Sequence, residues 1–369
     1  MKIGILTFWW SEDNYGQILQ SYALQQYLKK LGHDPFLIRY DIRKDFNKAL
    51  LLYIKVDEFF RKLCSKNKDK KTTDSSNRRF KEFQASHISM TPQIYNSYED
   101  LCRTLPDADI YIVGSDQVWN YSYYPKKVMN AYFLDFNIPS HARFSFAASW
   151  GKESIDDKHA HYIAPMLSRF HYVGVREESG IEICRKCKYP AAEWVPDPTM
   201  LLTAGEYRKL YKSYNIPTNP NKYLLLYILI NKTDFDIEEV YGFAASKGLE
   251  VILITGNNFQ SEHEPKDATI PEWISLIDNA EYVITNSFHC GIFCTIFNKQ
   301  YGIIPLAGNN SKMNTRMNSL FSRYHIESRY IRNHDFSILD RKYEKAGIQE
   351  PIGFIQELKN VTELIARKA

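Results

Sequence analysis

The sequence predicts an α/β protein of two doubly wound units, each a parallel sheet covered by helices. Three observations carry this. Short apolar runs alternate with helical stretches, the pattern of strands buried on both faces. The alternation pauses at Pro217-Thr218-Asn219-Pro220 and then restarts. The length, 369 residues, suits two domains at roughly 100–200 residues each.

The elements follow in order. Residues 2–8 read as a first buried strand. Residues 16–31 read as an amphipathic helix, with Ile18, Leu19, Tyr22, Leu28 and Leu31 near one face, stopped by Gly32. Further strands are expected at 35–39, 109–113, 143–147 and 172–175. After the pause, strands are expected at 223–230, 250–254, 281–285 and 301–304. They alternate with helices at 236–247 (closed by Gly248), 271–279 and 290–297. The expected division is residues 1–216, residues 217–350, and a final stretch, 351–369, whose helix packs back across the join. No repeat of fixed period is present.

Composition excludes several classes. Apolar residues make up 44% and charged residues 24%, which is ordinary for globular chains. A net charge of +4 is too mild to imply a nucleic-acid partner. The N-terminus lacks the basic, apolar and small-residue pattern of a signal peptide, and the stretch 223–230 is far too short to span a bilayer. Six cysteines in a chain this long are no disulfide framework. A cytoplasmic protein with reduced thiols is expected.

A basic insertion at 43–82 stands apart, with 13 Lys/Arg against 6 Asp/Glu. Its first half carries Leu50, Leu51, Ile54, Phe59, Phe60 and Leu63. Its second half is rich in Lys, Asp, Ser and Thr. Two readings stay open: a helix on the sheet followed by a solvated loop, or a basic amphipathic element on residues 46–81 resting on the anionic inner face of a membrane.

Four places where a strand runs out into polar residues draw attention, because ligands of open α/β sheets sit beyond the carboxyl ends of strands. After the first strand come Asp13-Asn14-Tyr15-Gly16, where Asp13 or Asn14 serves either as a helix cap or as a hydroxyl ligand. After the third come Gly114-Ser115-Asp116-Gln117-Val118-Trp119. Here Gly114 permits a tight exit, Ser115 and Gln117 reach the sheet edge, Asp116 is a candidate base and Trp119 a candidate stacking surface. After the strand at 172–175 comes Arg176, whose planar fork suits a carboxylate or phosphate, or pairs with Glu177 or Glu178. In the second unit, Thr285-Asn286-Ser287-Phe288-His289-Cys290-Gly291 joins strand to helix. Backbone N–H groups make an anion site there, and His289 is a candidate acid. Farther on, Lys312 and Arg316 stand one helical turn apart and suit an anion.

Cys184-Arg-Lys-Cys187 is a single C-x-x-C with no second pair, so no metal is assigned. Walker A, G-x-G-x-x-G and G-x-S-x-G sequences are absent.

Together, the four strand-end stretches resemble those of the polysaccharide pyruvyltransferase family over roughly residues 1–325. The resemblance implies a glycosyltransferase-B-like pair of Rossmann-like domains facing a cleft, with the acceptor on the 1–216 side and the donor anion on the 217–350 side. It implies transfer of pyruvate from phosphoenolpyruvate onto two hydroxyls of one sugar in a cell-surface or capsular glycan precursor. The product is a cyclic ketal, and phosphate is released. The family's donor-binding Arg matches Arg176 and its His matches His289. That His is usually preceded by Arg-Leu, where this chain has Ser287-Phe288, so donor binding would depend on Lys312 or Arg316.

The expected roles follow. His289 protonates or steadies the leaving phosphate, and Asp13 or Asp116 accepts a hydroxyl proton. Asn14, Ser115, Gln117, Trp119, Asn286, Ser287, Lys312 and Arg316 line a positively charged substrate site. No metal or cofactor is needed beyond phosphoenolpyruvate as donor, and the partner is a sugar or lipid-linked oligosaccharide. The alternatives are a sugar-nucleotide glycosyltransferase of the same fold and a non-catalytic glycan-binding subunit.

Overall fold

The computed structural model describes residues 1–11, 13–46, 75–122, 124–217, 219–229, 235–256, 261–306, 314–344, 347 and 349–367. The amphipathic and membrane-facing readings of 46–81 fall mainly on 47–74 and, like Lys312, lie outside the described residues. No helix among the described residues is long and apolar enough to cross a membrane.

The first sheet has six parallel strands: β1 (Lys2–Leu6), β2 (Asp34–Leu37), β3 (Ile110–Val113), β4 (Arg143–Ala148), β5 (Tyr172–Val175) and β6 (Glu193–Trp194), in spatial order β2-β1-β3-β4-β5-β6. The second has four: β7 (Tyr223–Ile228), β8 (Glu250–Thr255), β9 (Tyr282–Thr285) and β10 (Gln300–Ile303), in order β10-β9-β7-β8. Strands β3, β5 and β7 are buried along their whole length, which is why they read as unbroken apolar runs. β6 has only two residues and carries no periodicity to read.

Both sheets share one topology, the order reversing between β1 and β3 in the first and between β7 and β9 in the second. At such a switch point the connections leave in opposite directions and open a crevice beyond the strand ends. Three helices start at these edges: α1 (Tyr15–Lys30) after β1, α6 (Ser179–Lys186) after β5 and α10 (Phe288–Phe297) after β9. The others, in chain order, are α2 (Phe80–His87), α3 (Tyr98–Thr104), α4 (Lys126–Tyr132), α5 (Asp157–Leu167), α7 (Ala204–Lys212), α8 (Ile237–Ser246), α9 (Ile270–Asn279), α11 (Asn314–Arg323) and α12 (Ile352–Ala366). Helix α12 returns to the first sheet, where Phe354 packs against Phe144, Phe146 and Tyr172.

The start of α1 reaches across to the second sheet. The Tyr15 ring stacks on Trp273 of α9 at 5.0 Å and 5°. Its hydroxyl donates to Ala268 O at 2.7 Å, and Tyr227 at the end of β7 meets both rings edge-on. Burial pushes the Tyr15 hydroxyl pKa well above the ordinary value, although the nearby Arg78 pulls the other way. The two sheets thus meet through an aromatic seam at the base of the crevice. Replacing the fully buried Trp273 with Ala is expected to cost about 3–5 kcal/mol through the cavity it leaves. The urea unfolding midpoint measures this, and Trp273→Phe should recover most of the loss.

Candidate active site

The site is built where the two switch points face each other. On the first sheet, β3 ends at Gly114, whose φ is +115° and where a Cβ would fall 2.3 Å from Phe146 O. Only glycine fits there. Ser115 is then held from two sides. Its N–H donates to Gln20 Oε1 at 3.2 Å, and its carbonyl accepts from Thr7 Oγ1 at 2.8 Å. Asp116 follows with φ +69°, and its carbonyl accepts from the N–H groups of Val118 and Ser149.

Arg176, at the end of β5, is buried among acids. Its Nε donates to Glu177 Oε1 at 3.0 Å, and its Nη1 donates to Asp197 Oδ2 at 3.2 Å and to Ser115 Oγ at 3.4 Å. Its Nη2 lies 3.5 Å from Asp116 Oδ1. Burial works against the charged guanidinium, but Glu177, Asp116 and Asp197 more than offset it and raise its pKa above the ordinary arginine value. Asp197 sits between two prolines, and its Oδ1 accepts from Thr199 N and Oγ1. Burial would raise its pKa, yet the His289 imidazole, Arg176 and Thr199 together hold it well below the usual carboxylate range.

From the second sheet, His289 brings its Nε2 to 3.6 Å from the same Asp197 Oδ2. Its approach depends on α1. A Cβ on Gly16 would fall 2.1 Å from His289 Cγ, so the first turn of α1 lies flat against the imidazole. Ser287 caps α10, its Oγ accepting from Cys290 N at 3.4 Å, while Asn286 Oδ1 accepts from Leu229 N at 2.8 Å and ties β9 to β7. The guanidinium carbons of Arg176 and Arg316 lie 4.9 and 5.5 Å from the centre of the Phe288 ring. Three buried atoms of the cluster, Arg176 Nη2, Glu177 Oε2 and His289 Nε2, have no hydrogen-bond partner among the described residues. Buried polar atoms normally do.

The expected residues divide accordingly. Arg176, Asp116, Ser115 and His289 come together. Asn14 caps α1, its Oδ1 accepting from Gln17 N at 3.3 Å, and so stands at the helix start that faces His289. Asp13 belongs to the opposite edge: Tyr227 Oη donates to its carbonyl at 3.4 Å, and its Oδ1 accepts from Ser11 Oγ at 3.4 Å. Gln117 closes its own turn, with Oε1 accepting from Asn120 Nδ2 at 2.8 Å. Trp119 is corrected from stacking surface to core. It is 1% exposed, lies flat on Phe133, and its Nε1 donates to Tyr132 O at 2.9 Å.

A second correction concerns charge. The centre is not positively lined, because three carboxylates surround one guanidinium and even a protonated His289 leaves the cluster net negative. Sequence reasoning missed Asp197 altogether. Its one signal is a lone carboxylate fixed in Val195-Pro196-Asp197-Pro198.

The sequence model of one family, described as polysaccharide pyruvyl transferase, matches residues 14–301. The chain belongs to this family. The match includes every member of the charged cluster and leaves Asp13, Lys312 and Arg316 outside it. A comparison with curated proteins gives no match.

Among solved structures, this pyruvyl transferase family member is similar to UDP-GlcNAc 2-epimerase from Methanocaldococcus jannaschii in complex with UDP-GlcNAc and UDP. The TM-score is 0.51 at 12% identity, over 98% of this chain and 100% of that one. A second structure of the M. jannaschii enzyme gives 0.51 at 13%, with both chains fully covered. An α-glucosyltransferase in complex with UDP and a 13-mer DNA gives 0.45 at 11%, over 98% and 99%. The likeness to the epimerase shows the fold: two Rossmann-like domains in a glycosyltransferase-B-like arrangement.

Two predictions follow from the cluster. Arg176→Met strands three buried carboxylates and is expected to destabilise the fold by about 3–5 kcal/mol, whereas loss of a residue that only binds substrate would not move the denaturation midpoint. The second concerns acid. The Asp197 pKa is depressed in the folded state, so its ionisation stabilises the protein above its unfolded value, ~3.9, and that contribution is lost as pH falls through the folded value. Below about pH 4 the wild type should therefore lose stability more steeply than Asp197→Asn, as thermal melts across pH would show.

Proposed function

We propose that the protein transfers pyruvate from phosphoenolpyruvate to two hydroxyls of one sugar, forming a cyclic ketal in a cell-surface glycan precursor and releasing phosphate. The observation that carries this reading is the meeting of Arg176 and His289 on one buried oxygen, Asp197 Oδ2, between the facing edges of the two sheets. Family membership supports the transfer of a pyruvyl group.

In the proposed reaction the donor's methylene carbon takes a proton, and its enol carbon becomes oxocarbenium-like. One sugar hydroxyl adds to that carbon and loses its proton. The C–O bond to phosphate breaks, and the second hydroxyl adds to close the ring. One hydroxyl proton thus replaces the proton taken up at the methyl group, and the other leaves with phosphate. His289 serves the phosphate that departs, oriented through Asp197. A neighbouring carboxylate fixes the orientation of an imidazole. Of the two acids expected to accept a hydroxyl proton, the proposal assigns Asp116, which stands in the cluster, and not Asp13.

Arg176 is assigned chiefly to positioning, because its Nε and Nη1 already donate to Glu177, Asp197 and Ser115, and only Nη2 is left for a ligand. Attraction for the donor anion then falls to the start of α10, where backbone N–H groups and the helix dipole favour negative charge, and to Arg316 beside Phe288.

His289→Ala is expected to lower turnover by ~10²–10⁴-fold with the fold retained, the range for a well-placed acid or base. The assay is phosphate release with a matching mass gain on the acceptor. Label transfer from sugar nucleotides to the acceptor, with no inorganic phosphate released, would replace this reading with glycosyl transfer.

A further inference from the structure

A groove of about 680 Å³ lies beside the charged cluster, between the start of α6 and the face of α11. That volume is within the usual range of ligand pockets, about 300–1,000 Å³. Its walls begin one residue beyond the cluster on one side and one residue before Arg316 on the other. Glu178 follows Glu177, Thr315 precedes Arg316, and Trp194 Nε1 donates to Arg176 O at 3.0 Å. The half-buried Trp194 ring contributes an aromatic wall, braced by the Arg323 guanidinium 5.0 Å from its centre. Around it stand Glu153, Glu178, Glu182, Thr315, Asn318 and serines of both helices.

The lining has a distinct chemistry. Carboxylates accept hydrogen bonds, while Ser, Thr and Asn side chains both donate and accept. Vicinal sugar hydroxyls require that mixture, and the apolar face of a pyranose suits an indole. None of the ten lining residues is Lys or Arg. Arg185 pairs with Glu182 at an exposed position where such a pair contributes little. An anionic sugar would therefore meet like charge with no cation among the described wall residues to offset it.

We propose that this groove is the acceptor subsite, that it binds the neutral saccharide units beside the reacting sugar, and that it rejects uronate-bearing chains. The inference rests on the pyruvyl-transfer reading for the word acceptor, while saccharide binding by the groove stands on its own lining.

The test uses the full chain and immobilised oligosaccharides ending in galactose, mannose, N-acetylmannosamine or glucuronate, with no donor present. The wild type is expected to bind at least one neutral terminus and to bind the glucuronate-ended probe at least tenfold more weakly. Asn318→Trp, at an exposed position on α11, should fill the groove and weaken neutral-glycan binding at least tenfold. Glu178→Lys should narrow the gap between neutral and glucuronate probes. Binding that ignores Asn318→Trp, a preference for glucuronate, or no binding of any neutral probe would each overturn the proposal. Calorimetry with phosphoenolpyruvate on the same proteins separates the two readings. If glycan binding responds as expected but no protein binds phosphoenolpyruvate, the groove stands and pyruvyl transfer falls.

Discussion

The site depends on one buried carboxylate oxygen. Asp197 Oδ2 receives Arg176 Nη1 from its own domain and faces His289 Nε2 from the other. Isolating a carboxylate this deeply would cost far more than any single hydrogen bond returns, and unpaired it would take up a proton instead. It stays ionised because the guanidinium and the imidazole converge on it. That convergence couples the two sheets: His289 cannot keep its distance to Asp197 unless the β7–β9 edge stays seated against the β1–β3 edge. The aromatic seam of Tyr15, Trp273 and Tyr227 holds that seating without placing further charge in the crevice.

Two glycines make the approach possible, each for a steric reason. Gly16 lets the first turn of α1 lie against the imidazole, where any side chain would occupy the ring's own position. Gly114 lets the chain turn off β3 under Phe146 O with a positive φ, which delivers Ser115 and Asp116 to the guanidinium. The polar residues of these turns are then committed to holding backbone. Asn14 and Ser287 cap their helices, Gln117 closes its turn and Asn286 ties two strands. Residue types that look like ligands at a strand end are often spent this way, because a helix start leaves N–H groups that must find acceptors.

The parts of this arrangement legible in the sequence were those written in local pattern. Unbroken apolar runs marked the buried strands, and the strand-to-helix turns at 113–119 and 284–291 marked the edges where the site lies. Position alone could not tell a residue at the edge from one just beneath it. Trp119 stands three residues past Asp116, yet its indole turns into the core and stacks on Phe133. The charge balance was illegible for a different reason. Asp116, Arg176 and Asp197 are separated by 60 and 21 residues, and only the order of β3, β4, β5 and β6 in the sheet gathers them. Asp197 was missed because a proline-bounded loop has neither helical nor strand periodicity, and β6 because two residues show none.

The departure at Ser287-Phe288 becomes intelligible in this light. An arginine at 287 would stand at the start of α10 and offer charge directly. The serine caps the helix instead, satisfying the Cys290 N–H and leaving the positive end of the helix dipole in the crevice. Phe288 carries a ring that draws guanidinium groups to its face, with Arg176 from the first domain and Arg316 from α11 within 6 Å of its centre. Under the proposed reaction, cationic charge beside Ser287 is thus supplied from another helix through an aromatic intermediary. Under that reading the cluster itself can remain net negative, with Asp197 holding the imidazole and Asp116 accepting the hydroxyl proton, while the attraction for an anionic donor is supplied from the α10–α11 side.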